Sequence, residues 1–399
     1  MSTASPRMLR LHVPGHEERK ITWLELFYDL IYVATIIQLG NLLVADASAV
    51  GGTLFVLLFV PVWWSWTGMM FFFNRFVADD VWHRVLVFAQ MFAIANLAIS
   101  VTGAFGEMSA AFALAYFAVR AILVLFYLRA WGMAPDARPL IRRYLLGFSL
   151  AALVWLASAF VPEPYRYALW AAALALEFYV SVSAGSRRLQ YQLPPDIPHL
   201  AERYGLFTII VLGESFIKVV SGLGEYGITL DSLLLSALGF VVAACIWWLY
   251  FDSSHGAVVR SSTGARYVWI YGHLPLTVAI TGIGVGLKKL TVLPLGDGVS
   301  DTVRWVLGGA LALCLLTLAL FEAIKVSERP AAAAREVGAR LGGSVAVLAV
   351  VVFGASLPAA VMALLFALVC VALVVLAEAT NAAAAAGAGV LAEEGAAPG

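Results

Sequence analysis

Two carboxylates lie inside the first long apolar stretch of the chain, residues 21–45, where Glu25 and Asp29 are four positions apart. A helix places residues i and i+4 on one face, and Gln38 falls roughly on the same side. An acid near the centre of a membrane-spanning helix costs about 2.5–3.5 kcal/mol, so such residues usually face a polar interior. The first helix is therefore expected to line an interior that binds a cation, a proton or a polar solute.

A second polar group occurs in residues 202–221, ERYGLFTIIVLGESFIKVVS. Glu202 opens this stretch, and Glu214 follows about 18 Å deeper along a helix that rises 1.5 Å per residue. Lys218 comes one turn after Glu214, so the two side chains are predicted to pair within the helix. Two roles stay open for the pair: a functional protonation site, or a self-neutralising contact that only supports packing.

Arg120 and Glu177 form a third candidate group, because each lies well inside an apolar segment. The two segments are expected to enter the membrane from the same side, which places both charges at similar depth. We predict an interhelical ion pair between them. Its role is expected to be structural, with a gate as the alternative.

Three further polar residues, Gln90, Asp252 and His273, lie in or at the ends of other apolar segments. Together with the acids of the first and seventh segments, they are expected to gather toward the cytoplasmic half. A histidine titrates near neutral pH, so His273 suits a proton-linked step; a hydrogen bond at the kink of Pro275 is the alternative. The spacing of Asp252 and His255 is weak support for a metal site. Several of these charges could also simply mark helix ends.

The sequence lacks the patterns of common enzymes. It contains no Ser–His–Asp order, HExxH motif, Walker loop or glycine-rich dinucleotide fingerprint, so we predict no catalytic residues and no enzyme. The three cysteines, Cys245, Cys314 and Cys370, lie in apolar runs without metal-binding spacing, which favours buried, inert thiols. Neither a metal nor a cofactor is expected.

Membrane-spanning helices must position these residues. The 399-residue chain is 62% hydrophobic and only 13% charged, whereas a soluble domain has about 25% charged residues. The mean hydropathy is +0.91. We therefore predict an all-α polytopic membrane protein with about twelve transmembrane helices. The predicted spans are 21–45, 52–74, 83–105, 111–131, 141–161, 166–186, 200–223, 230–252, 266–288, 302–325, 336–357 and 359–380.

Orientation follows from the Lys and Arg residues, which concentrate in cytoplasmic loops. With twelve spans and a cytoplasmic N-terminus, 19 of the 25 basic residues fall on the cytoplasmic side and 4 on the other. Both termini are therefore expected in the cytoplasm. Residues 1–20 have no short apolar core or cleavage site, so the first span is expected to act as its own insertion signal.

The two halves of the chain resemble each other. Trp63–Trp64 in the second span matches Trp247–Trp248 in the eighth, and Gln90 aligns with His273. We predict two parallel six-helix repeats, an architecture of secondary transporters. The predicted organisation is an N-terminal cytoplasmic segment (1–20), a first membrane half (21–186), a cytoplasmic connector (187–199), a second membrane half (200–380) and a disordered Ala/Gly-rich tail (381–399).

Three motifs in order resemble a known family. Residues 25–33, ELFYDLIYV, resemble its ELFFDLVFV signature, and Asn74–Arg75–Phe76 with Asp79–Asp80 resembles its NRF…DD segment. Residues 202–207 and 212–214 resemble ERHGLF…LGE, with Tyr204 in place of the commoner histidine. These motifs are those of the bacterial low temperature requirement protein A (LtrA) family. The resemblance implies an inner-membrane protein that some bacteria need for growth in the cold, and it brings no substrate or mechanism.

The function expected from these residues is a secondary transporter or permease with an acidic intramembrane site. The alternatives are a non-transporting sensor or scaffold that supports growth at low temperature, and a membrane enzyme that acts on lipid. The expected partners are the lipid bilayer and a small solute or ion. Nucleic acid is not expected, because the net charge is zero.

Overall fold

The computed structural model describes residues 9–12, 20–254, 263–325 and 330–395. These residues form thirteen α-helices, one short 3-10 helix and a two-stranded antiparallel sheet. The helices are α1 (Trp23–Ala45), α2 (Ala49–Arg75), α3 (Val81–Val101), α4 (Ser109–Met133), α5 (Arg138–Ser158), α6 (Tyr165–Val182), α7 (Ala184–Gln192), α8 (Ile197–Tyr226), α9 (Leu230–Ser254), α10 (Thr263–Leu290), α11 (Asp301–Ala323), α12 (Pro330–Phe353) and α13 (Ala359–Gly395). The strands are β1 (Arg10–Leu11) and β2 (Phe76–Val77), and the 3-10 helix is Pro135–Ala137.

The all-α membrane class predicted from composition is confirmed. Among the described residues, eleven helices are long and apolar enough to cross a membrane. The bent pair α6 and α7 makes twelve if it forms one span. Large apolar side chains are exposed on these helices, including Phe92 at 74%, Leu146 at 66% and Phe353 at 84%. Such surfaces are stable against acyl chains and not against water.

The sixth predicted span, 166–186, departs from a straight helix. Helix α6 ends at Val182, and α7 leaves it at an angle of 44°. Ser183 at the break has a non-helical backbone (ψ 154°), and its hydroxyl accepts a hydrogen bond from Arg143 Nη2 at 2.7 Å. The predicted connector, 187–199, therefore begins within a helix.

The chain divides into two compact units. The first unit comprises residues up to Leu42 together with Thr53–Arg203. Within it, α3, α4, α5 and α6 pack in chain order, each against the next. Strand β1 pairs with β2, which follows α2 directly, and His12 N–H extends this contact by donating to Arg75 O at 2.8 Å. The chain before the first span is thus attached to the end of the second.

Helix α3 begins with a side-chain cap. The Asp80 carboxylate accepts the His83 amide at 3.1 Å and also a hydrogen bond from Arg129. Burial raises the pKa of the Asp80 carboxyl, but these hydrogen bonds outweigh burial and hold that pKa below its usual value. The acids of the Asp79–Asp80 motif therefore act at a helix start, where the helix dipole favours negative charge.

The second unit comprises Leu43–Gly52 and the residues from Tyr204 onward. Within it, α10, α11, α12 and α13 also pack in chain order, and α13 packs on α9. Close approach of α8 to α10 requires glycine at 284, since a Cβ there would lie 2.6 Å from the Ser215 Cβ. The Ser215 hydroxyl donates to Ile280 O at 3.0 Å across the same contact.

The C-terminal region confirms one prediction and corrects another. The last two apolar segments are separate helices, divided where Ala359 N–H donates to Asp297 O at 2.8 Å. The tail from residue 381 was expected to be disordered, but α13 continues as helix to Gly395. Alanine is the strongest helix former, and that propensity extends the helix through this alanine-rich segment. Residues 396–399 lie outside the described residues.

Candidate functional site

Helix α1 separates its polar face from its apolar face within the first unit. Glu25, Tyr28, Asp29 and Tyr32 are buried at 4%, 0%, 0% and 0% exposure, and their spacing of three and four follows one side of the helix. Between them, Phe27 and Leu30 are half exposed on the other side. Helix α1 therefore directs both of its acids toward the interior of this unit.

Asp29 is the centre of the site. Its Oδ1 atom accepts hydrogen bonds from Trp66 Nε1 at 2.8 Å and from Arg203 Nη2 at 2.6 Å. Its Oδ2 atom is buried and accepts no hydrogen bond from any described residue. A buried acceptor without a donor costs about 1–3 kcal/mol, and a hydrogen-bond donor or a proton at Oδ2 would remove that cost.

Glu25 lies one turn before Asp29 and near the same guanidinium. Its Oε2 atom accepts the Thr22 amide at 2.9 Å, while the Glu25 amide donates to Thr22 Oγ1 at 3.2 Å, which forms a capping box at the start of α1. The same oxygen lies 3.8 Å from Arg203 Nη1 and 3.6 Å from His199 Nε2. One guanidinium therefore lies between two buried carboxylates.

Sequence reasoning missed Arg203 and chose its neighbour Glu202. Arg203 is fully buried, and its guanidinium also lies 5.8 Å from the centre of the Phe73 ring. Glu202 is exposed, because adjacent residues point about 100° apart around a helix. Asp196, His199 and Arg203 have the spacing of one helix face, and this pattern was the available signal for the correct phase.

A chain of polar contacts joins this site to the N-terminal strand. His12 Nε2 donates to Asp196 Oδ2 at 2.7 Å, and the Asp196 amide donates to Asn74 Oδ1 at 2.9 Å. This second bond fixes the amide orientation, so Asn74 Nδ2 donates to His199 Nδ1 at 3.2 Å. His199 Nδ1 is therefore an acceptor, and its Nε2 carries the proton that faces Glu25.

Gln90 belongs to the same unit, buried at 1% exposure beside the Tyr28 hydroxyl. Neither its amide nitrogen nor its amide oxygen forms a hydrogen bond of standard geometry with a described residue, and the same holds for the Tyr28 hydroxyl. The Tyr32 hydroxyl, by contrast, has a hydrogen-bond partner, because it lies 2.8 Å from the Ser65 hydroxyl. Buried polar groups without a hydrogen bond of standard geometry thus extend from Asp29 to α3.

Two other predicted site residues do not join these groups. Gln38 is half buried and accepts a 3.4 Å hydrogen bond from Asn41. Asp252 is exposed in the second unit, where it accepts a hydrogen bond from Asn381 at 2.8 Å. Gln38 lies nine residues after Asp29, and nine steps of about 100° place it roughly opposite Asp29, so the expectation that it shares a face with the acids is wrong. His255, the proposed partner of Asp252, lies outside the described residues.

The second unit contains the predicted Glu214–Lys218 ion pair, within α8. Both side chains are buried, at 4% and 6% exposure. Glu214 Oε2 makes no hydrogen bond to any residue in the described part of the chain. This second acid therefore resembles Asp29: one oxygen is bound to a cation and the other is open.

His273 is a buried, doubly hydrogen-bonded histidine in the second unit. Its Nδ1 lies 2.7 Å from Trp269 O, a pure acceptor, so Nδ1 carries the proton. Its Nε2 then accepts from the Tyr250 hydroxyl at 2.9 Å. Aromatic rings of Tyr204 and Phe321 pack against the imidazole at 4.6 and 4.9 Å between ring centres. This environment favours the neutral, structural form over a proton carrier.

The predicted Arg120–Glu177 ion pair is present in the first unit, between α4 and α6. Both side chains are buried at 1% exposure or less. Arg120 also donates to the Tyr116 hydroxyl at 2.9 Å and stacks over the Tyr116 ring. Within the described residues, no group of three or more His, Cys, Asp or Glu side chains is arranged to hold a metal ion.

The fold and these buried charges define a polytopic integral membrane protein with ionisable groups inside its helical units. The model of the bacterial low temperature requirement A protein (LtrA) family matches residues 20–377, and the chain belongs to this family. The chain is also similar to an uncharacterized protein of Rhizobium meliloti (strain 1021). The two are 29% identical over 313 residues, which cover 73% of this chain and 75% of the relative.

Proposed function

We propose that this protein is a secondary transporter rather than an enzyme, and that Asp29 is its proton- or cation-binding residue. The observation that carries the proposal is the buried Asp29 carboxylate, of which one oxygen binds Arg203 and Trp66 while the other has no partner among the described residues. Ionisable residues inside spanning helices commonly mark ion pathways and proton relays.

The proton is the favoured ion. Asp29 lies six residues into α1, about 9 Å from its start, and the polar contacts from His12 through Asp196 and His199 to Glu25 extend outward from that depth. Histidine and carboxylate side chains can pass protons at neutral pH. A metal cation would need several oxygen ligands, whereas Arg203 already holds positive charge against Asp29.

Flux measurements test the role of Asp29. The full-length protein is reconstituted in liposomes with a trapped pH-sensitive dye, and an inward proton gradient is imposed with Na⁺, K⁺, amino acids or sugars as trial solutes. We expect one solute class to accelerate proton entry and Asp29→Asn to abolish that acceleration. Asp79→Asn is the matched control, because Asp79 is exposed and forms a surface ion pair with Arg84. Proton entry that is equal in Asp29→Asn and the unmodified protein contradicts the assignment.

Glu214 is the second protonation site of the proposal. We expect Glu214→Gln to abolish pH-dependent uptake while the protein still inserts and purifies normally, because the amide keeps the size of the side chain and cannot take up a proton. Glu378→Gln serves as the control, since Glu378 is exposed on α13 and accepts a hydrogen bond from Trp248. Unchanged uptake in Glu214→Gln would remove this residue from the mechanism.

A second function, a non-transporting sensor or scaffold, is favoured by a different observation. Arg120–Glu177 and Glu214–Lys218 are both compensated pairs, as expected if interior charges only hold helices together. Under this alternative, no trial solute changes proton entry, and the variants alter thermal stability alone. The two functions therefore give opposite results in the same liposome measurements.

The cellular setting completes the proposal. We place the protein in the bacterial inner membrane with both termini in the cytoplasm, on the basis of its Lys and Arg distribution. The serial packing of α3–α6 in one unit and α10–α13 in the other supports two related repeats. The proposed partners are the lipid bilayer and a small solute or ion, with no nucleic acid.

A further inference from the structure

A groove of about 310 Å³ opens between α12 and α13 in the second unit. Arg335, Glu336 and Arg340 line its α12 wall, and Leu373, Leu376 and Thr380 line its α13 wall. Leu376 is 52% exposed, and its neighbour Val375 is 61% exposed, so the groove opens onto a surface that faces acyl chains. We propose that this groove binds an anionic phospholipid of the surrounding bilayer.

The charged side chains of the groove balance one another except for one arginine, which can bind an additional anion. Arg340 is buried at the floor, where its Nη1 lies 2.9 Å from Glu336 and 3.3 Å from Glu322. Lys325 also binds Glu322, at 2.8 Å. Arg335 is exposed at the rim and forms no ion pair with a described residue. The floor is thus internally compensated, and the rim guanidinium is available to a lipid phosphate, which it can hold through two parallel hydrogen bonds.

The polarity of the groove changes with depth in the way that a phospholipid requires. Arg335 lies five residues after the start of α12, and Thr380 lies three residues before the end of the apolar part of α13. Leu373 lies ten residues before that end, about 15 Å along the helix. A headgroup at Arg335 therefore places its acyl chain along Leu373 and Leu376. Basic pockets between spanning helices are a known form of anionic lipid site.

Lipid titration of the purified full-length protein, followed by native mass spectrometry, tests this proposal. We expect phosphatidylglycerol to bind more tightly than phosphatidylcholine, and Arg335→Gln to weaken phosphatidylglycerol binding about fivefold, the effect of one basic residue near an anionic headgroup. Ala339→Phe, which fills the groove without changing charge, should weaken both lipids. Arg188→Gln is the matched control, since Arg188 is exposed on α7.

Three results would overturn the lipid site: equal phosphatidylglycerol affinity in Arg335→Gln and the unmodified protein, an equal loss in Arg188→Gln, or unchanged lipid binding in Ala339→Phe. Competition with glycerol 3-phosphate separates a lipid from a soluble phosphate. Displacement of phosphatidylglycerol at similar concentration would assign the groove to the soluble anion and contradict the proposal. The proposal is independent of transport, because these measurements need no flux.

Discussion

Replacing Glu177 with methionine is expected to destabilise the protein by about 3–5 kcal/mol, because the substitution leaves the buried Arg120 guanidinium without its counter-ion. Arg120 is fully enclosed at 1% exposure, and its contacts with the hydroxyl and ring of Tyr116 and with the ring of Phe148 do not neutralise its charge. The free energy of unfolding in mixed micelles, measured by titration with a denaturing detergent, gives the loss directly.

The double variant Arg120→Met/Glu177→Met separates two free energies. One is the net stabilisation that the ion pair provides, and the other is the cost of a buried guanidinium without a counter-ion. Replacement of a buried ion pair by apolar side chains of similar size is often neutral, so the double variant is expected to regain most of the lost stability. The exposed Asp79–Arg84 pair is the control, and Asp79→Asn should cost less than about 1 kcal/mol. A loss below about 1 kcal/mol in Glu177→Met would mean that another group neutralises Arg120.

The sequence predicts depth in the membrane better than it predicts direction around a helix. Arg120 and Glu177 could be paired because both lie near the middle of spans that enter from the same side. Glu214 and Lys218 could be paired because four residues along a helix bring two side chains together regardless of what surrounds them. Both predictions needed only the span boundaries and the helical repeat, which composition and periodicity supply.

The error at Glu202 and Arg203 shows the limit of this reasoning. The seventh span was predicted to begin at residue 200, which placed Arg203 in its first turn, at the cytoplasmic end of the helix. Helix α8 begins at Ile197, so Arg203 lies nearly two turns inside it. Which of two adjacent residues faces inward depends on the phase of the helix, and that phase is set by Asp29 and Glu25, whose positions are more than 170 residues away in the chain.

The outer part of the same network could not be predicted either. His12 meets Asp196 across 184 positions, and Asn74 meets the same loop across 122. These contacts depend on the pairing of strand β1 with the two residues after α2. No local pattern in the polar N-terminal segment predicts that pairing. Long-range contacts of this kind follow from the packing of spans and cannot be inferred from spacing along the chain.

Replacing Arg203 with methionine is expected to destabilise the protein at least as much as Glu177→Met. Arg203 lies 2.6 Å from Asp29 and 3.8 Å from Glu25, so its loss removes the guanidinium that lies between two buried carboxylates. We expect destabilisation of at least about 3–5 kcal/mol at pH 8, the cost of breaking a buried pair. The loss should be smaller at pH 5, because protonated carboxyl groups carry no charge that must be buried.

Two further variants determine whether charge or geometry dominates at this site. Arg203→Lys keeps the positive charge but cannot reach both carboxylates with a planar fork, so it should retain part of the stability. In Arg203→Met/Asp29→Asn, the buried Asp29 charge is also removed, and the double variant should be more stable than Arg203→Met alone. If Arg203→Met unfolds with the same free energy at pH 5 and pH 8, the two acids do not depend on Arg203 for their charge. Asp29 would then have to be neutral in the unmodified protein as well, with its proton on the open Oδ2 atom.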